Sequence, residues 1–137
     1  MRRSLMPALT LVLGIAAGAI GATVLRAAEP PWRETPLLRV DLEGLVGQEL
    51  MVSRFDTAAG WAHGRHHHPG HELVYVLEGS AVLEVAGRPP RLLGPGDAAL
   101  VPPGEVHAGR NASADAPFRF LLVRIHPKGQ PLSVELD

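Results

Sequence analysis

The chain has 137 residues, 46% of them apolar, which is enough for one packed domain; only six side chains are aromatic, so Val, Leu, Ile and Ala must supply most of the core. Fifteen Gly and 13 Pro argue against a helical bundle and for short strands between many turns. The absence of Cys excludes disulfides, thiolate metal sites and cysteine nucleophiles, and although the net charge is −1, the part from Glu29 onward carries ten basic against fourteen acidic side chains, the wrong sign for a nucleic-acid partner.

The chain opens on Arg2-Arg3, followed by a stretch from Ser4 to Leu25 without a charge and rich in Leu, Ala, Gly, Ile and Val. A basic start, an apolar middle and a small-residue end describe a secretory signal, and the run also meets the roughly 20 residues of a bilayer span. Residues 1–28 are expected to be an apolar helix serving as signal peptide or membrane anchor. The domain would then be periplasmic or tethered outside the cytoplasm, touching the membrane only through residues 4–25 if they are not cleaved. Residues 29–36 hold three prolines in eight positions, and proline fixes φ and removes a donor, so an extended tether is expected there. The folded domain is expected over 37–137.

Leu37–Leu42, Glu49–Asp56, Glu72–Glu78, Ala81–Ala86, Ala98–Val101 and Phe118–Ile125 are short apolar or alternating runs. Each is bounded by turn clusters such as Pro69-Gly70, Gly87-Arg88-Pro89-Pro90 and Pro102-Pro103-Gly104. That punctuation predicts an all-β antiparallel sandwich or barrel, and no helical stripe survives after Arg26.

Histidine is the informative residue: five of the seven lie between His63 and His71. If this stretch is extended, His66 and His68 point to one face, about 7 Å apart at Cα, and His67 points away. Pro69-Gly70 then turns the chain, and Glu72 opens the next strand near where the histidines end. His107 follows Pro102-Pro103-Gly104 as a further candidate. Imidazole with carboxylate suits one divalent transition-metal ion (Fe, Mn, Ni, Cu or Zn) rather than a closed structural zinc site.

The spacing Gly60, His66, His68, Glu72, Gly79, followed by Gly96, Pro102, Gly104, His107, Asn111, resembles the two motifs of the cupin superfamily, in its small single-domain form. The resemblance implies a double-stranded β-helix, a jelly-roll barrel, with a metal inside its mouth. It also implies that His66, His68, Glu72 and His107 are the ligands, with Glu72 alternatively the catalytic base. Asn111 is expected to hold a turn. His63, His67 and His71 are expected in solvent or beside the ligands, Arg54 in solvent, and His126 has no assigned role.

On the strand from Glu72, alternation turns Glu72, Val74 and Val76 inward and Leu73, Tyr75 and Leu77 outward. The sole tyrosine is thereby kept from the metal, which disfavours tyrosine-dependent lyases and metal-free sugar epimerases. Glu72 disfavours the strictly three-histidine thiol dioxygenases. Val74, Val76, Leu100, Val101 and Leu122 are expected to wall the site with apolar surface. The function expected is a metal-dependent oxidoreductase of dioxygenase type acting on a small organic molecule. The alternative is a non-catalytic module that binds a metal or small ligand. The outward stripe Leu73, Tyr75, Leu77 is expected to support a homodimer.

Overall fold

A computed structural model describes residues 30–137. The apolar helix expected within 1–28 lies outside the described residues. From Pro30 onward ten strands follow one another: β1 Trp32–Asp41, β2 Gln48–Thr57, β3 Ala62–His67, β4 His71–Glu78 and β5 Ala81–Val85. The second half holds β6 Arg91–Leu93, β7 Ala98–Val101, β8 His107–Asn111, β9 Phe118–Pro127 and β10 Val134–Glu135. They form two five-stranded antiparallel sheets, in the orders β1-β2-β9-β4-β7 and β10-β3-β8-β5-β6. The sheets face each other as a jelly-roll barrel, and the described part is all-β.

Alternation decides what lies between the sheets. On β9, Phe118, Phe120 and Leu122 are buried in succession while Arg119 points out. Phe55 on β2 sits directly opposite Phe120, and the two rings stack at 5.1 Å. Val76, Ala81, Leu93 and Ala99 complete the centre, with Trp61, Val74 and Leu83 packed against it. Each large apolar side chain removed from water contributes about 1.5–3 kcal/mol. On β4, Glu72 and Val76 are buried, whereas Tyr75 and Leu77 are each 40% exposed, as alternation predicts.

Two glycines are required by close approach. At Gly70, in the β3–β4 turn, a Cβ would overlap the Ile125 carbonyl oxygen. Gly79 has φ +74° and would collide with the Pro117 carbonyl. These two turns pin both ends of β4 against β9, and Glu72 lies near the first.

Three expectations need correction. The segment 29–36 is not simply a tether, because Trp32–Pro36 pairs with β2 as the start of β1. Pro36 is tolerated because β1 is an edge strand, and the register shifts between Pro36 and Leu38. Leu100 does not wall the interior; it pairs with Leu73 on the outer face and is 56% exposed. Val76 and Val101 are buried in packing rather than exposed to the cavity between the sheets.

Candidate metal centre

The site draws on both sheets at one end of the barrel. His66 lies on β3 directly opposite His107 on β8, while His68 sits just past the end of β3. Glu72 comes from β4 in the other sheet, flanked by Val101 on β7 and Arg124 on β9. All four predicted residues, His66, His68, Glu72 and His107, are buried, at 3–5% exposure. The imidazole centroids lie 4.2 Å (His66–His107), 4.8 Å (His66–His68) and 5.2 Å (His68–His107) apart.

The tautomers follow from the partners. Each Nδ1 faces a backbone carbonyl: His66 that of Gly64 at 2.7 Å, His68 that of Leu132 at 2.6 Å, His107 that of Glu105 at 2.9 Å. A carbonyl only accepts, so each Nδ1 carries the proton and donates. In the neutral ring Nε2 is left as a lone pair. One ligand atom from each ring lies within 4.8 Å of the others. Nε2 of His68 and of His107 are buried with no aligned hydrogen-bond partner among the described residues, although Glu72 oxygens stand 2.9 and 3.5 Å away. Lone pairs facing a carboxylate at that range repel unless a proton or a metal cation lies between them. This donor set, with Nδ1 held by carbonyls, fits a divalent transition metal, and the His66/His68/His107 cluster can hold one.

Electrostatics point the same way. Burial, with the neighbouring imidazoles, pushes the His66 ring down to about 4, so at neutral pH it need lose no proton to ligate. Burial works against charge on His107 too, but the Glu72 carboxylate and the Glu105 carbonyl raise it. Burial alone would raise the Glu72 carboxyl; His107, His68 and Arg124 hold it well below the usual carboxylate range.

Arg124 escaped the sequence reading. Its Nε donates to Glu72 Oε2 at 3.0 Å and its Nη1 stands 3.8 Å from Glu34. The signal was present: Arg124 continues the inward series Phe118, Phe120, Leu122. Of the two places expected for His63, solvent or beside the ligands, the structure gives the second: it lines the cavity and stacks on His66 at 3.9 Å. His71 is exposed and His67 half-buried. Arg54 pairs with Asp56 at the surface, as expected. Asn111 holds the turns, donating to the Ala58 and Ala116 carbonyls and accepting from the Ser113 amide. His126 is buried against the Gln130 carbonyl.

The four residues border a cavity of about 340 Å³. Every Phe and Trp of the chain lines it, while Tyr75 does not.

Comparison with known proteins agrees with this arrangement. Residues 53–124 match the family described as "Cupin domain". Dimethylsulfoniopropionate lyase DddQ of Ruegeria pomeroyi is 42% identical over 65 residues, 47% of this chain and 31% of the lyase. The crystal structure of that lyase superposes with a TM-score of 0.56 at 34% identity, covering 62% of this chain and 42% of the lyase. The chain thus spans less than half the length of the lyase it matches. A polyketide cyclase, RemF of Streptomyces resistomycificus, superposes with a TM-score of 0.59 at 26% identity over 78% of this chain and 73% of the cyclase. A cupin-like protein of Thermotoga maritima, with a TM-score of 0.62 at 23% identity over 77% of this chain and 75% of its own, shares the fold. With its motifs, its barrel and its histidine cluster in these positions, the chain belongs to the cupin family.

Proposed function

We propose that this chain is a metal-dependent enzyme acting on a small organic molecule, with oxidoreductase chemistry of the dioxygenase type. The observation that carries the metal-dependent reading is the convergence of three buried imidazole lone pairs at one end of a largely apolar cavity. His66, His68 and His107 would hold the ion, with Glu72 as fourth ligand or as base. A bound ion of this class supplies Lewis acidity and, for iron or manganese, redox capacity with positions open for small molecules. Arg124 keeps Glu72 ionised and oriented. The Phe and Trp side chains exclude water and offer flat apolar surface to a substrate. The cavity lining contains no Tyr or Lys among the described residues, so proton transfer there would fall to Glu34, Glu72, Glu135 and the histidines. The expected result is oxygen consumption by iron- or manganese-loaded protein with small phenolic and aromatic-acid substrates, lost in His107→Ala. Metal bound at one per chain without turnover of any substrate would leave the non-catalytic module.

A second reading has its own support. The 65-residue likeness to a dimethylsulfoniopropionate lyase favours a lyase, independent of oxygen. Incubation of metal-loaded protein with dimethylsulfoniopropionate under argon, followed by proton NMR, separates the two: substrate loss favours the lyase. We further propose that the domain works outside the cytoplasm, on the strength of Arg2-Arg3 and the charge-free run to Leu25. A reporter fused after Asp137 and active only in the cytoplasm should be silent.

A further inference from the structure

We propose that His63 and Glu135 form a capture station at the cavity mouth, from which a divalent transition-metal ion passes inward to the buried histidines through His66. The inference rests on the metal reading above and adds a route to it.

The geometry comes from two features of β3. An unbroken strand would turn His63 and His66, three residues apart, to opposite faces. The β3–β8 register is irregular between His63 and His66, and this bulge brings both rings to the cavity side, stacked at 3.9 Å. Along its other edge β3 pairs with β10, which sets Glu135 directly opposite His66. Nε2 of His63 lies 3.3 Å from Oε1 of Glu135, and the Ser133 hydroxyl donates to the same oxygen at 2.6 Å. His63, His66 and Glu135 each present a ligand atom within 4.8 Å of the others.

His66 belongs to this trio and to the inner one. Its Nδ1 is committed to the Gly64 carbonyl, so it has one free ligand atom and can serve one ion at a time. The two trios are therefore successive positions of a single ion. The order is set by exposure: the side chain of Glu135 is 60% exposed and that of His63 41%, whereas His66 is 4% exposed. A hydrated cation meets the carboxylate first, exchanges water for imidazole at His63, and reaches His66 already partly dehydrated. With an ion seated inside, only His63 and Glu135 remain outside, too few donors to hold a second ion tightly.

A station on the path accelerates arrival and departure equally and leaves the equilibrium unchanged. The test is stopped-flow uptake of cobalt(II) by the metal-free full chain, followed by its visible absorption, together with release to excess EDTA. In His63→Ala and in Glu135→Gln both rates should fall, by about tenfold for loss of a focusing carboxylate, at a dissociation constant changed less than about twofold. His71→Ala, which alters an exposed histidine outside the cavity, should match the wild type. Unchanged rates in both variants, with normal equilibrium binding, would overturn the station alone. A dissociation constant that weakens as much as uptake slows would overturn it too, by making His63 or Glu135 a resting ligand. Failure of the wild type to bind one cobalt per chain would overturn the metal reading with it.

Discussion

The two faces of the same strands carry the same residue types under opposite conditions. On β9, Arg119 faces out, 45% exposed, and answers Asp56 and Glu78; Arg124, five residues on, faces in at 12% and answers Glu72 and Glu34. On β6, Leu92 is 65% exposed and its neighbour Leu93 1%. Past the bulge in β3, His67 is half-buried while His66 and His68 reach the metal centre. Side-chain chemistry is equal within each pair, so the face alone decides what each residue does. A charge, a leucine or an imidazole gains its structural weight only where water is excluded.

The largest contrast should be between the arginines. Arg124→Met leaves Glu72 charged and buried without its guanidinium, costing about 4 kcal/mol by urea unfolding of metal-free protein, against under about 1 kcal/mol for Arg119→Met. Metal should recover part of the Arg124→Met loss, since a cation on Glu72 replaces the missing charge. Next, Leu93→Ala should cost about 3 kcal/mol through lost burial and a cavity, with Leu92→Ala within about 0.5 kcal/mol. Equal costs in either pair would break the comparison.

The smallest effect concerns an ion pair that joins the two environments. Exposed Arg39 reaches buried Glu49 with two hydrogen bonds, of 2.7 and 2.8 Å. Those bonds hold the Glu49 carboxyl below its ordinary 4.5 despite burial. A depressed carboxyl contributes stability that is complete above its ordinary value and lost as pH falls through the folded one. The acid limb of stability below pH 4.5 should therefore be shallower in Glu49→Gln than in the wild type. Parallel limbs would contradict the pairing.

Face was legible in the sequence wherever alternation was unbroken and apolar residues marked it. The β4 and β9 positions follow that rule, and motif spacing brought out His66, His68, Glu72 and His107. Strands β3 and β8 were harder, because AHGRHH and HAGRN hold almost no β-branched or large apolar residue. Their inward positions are taken by the histidines themselves, so functional residues stand where a hydrophobic signal would be. The stacking of His63 on His66 depends on the bulge, which no composition reveals, and the first half of β1, Trp32–Pro36, was hidden by its prolines, which an edge strand accommodates. Arg124 belongs to no motif, and only the alternation of β9 places it on the inner face after Phe118, Phe120 and Leu122.

The central claim is that burial on one face makes a metal site of three particular histidines. Calorimetric unfolding with and without metal at about one hundred times its dissociation constant tests it. The wild type should gain about 2.7 kcal/mol, a rise in midpoint on the order of 10–20 °C. His67→Ala should keep that rise and His107→Ala should lose most of it. If the two variants behave alike, the histidines act as a loose surface chelator and the buried centre is wrong.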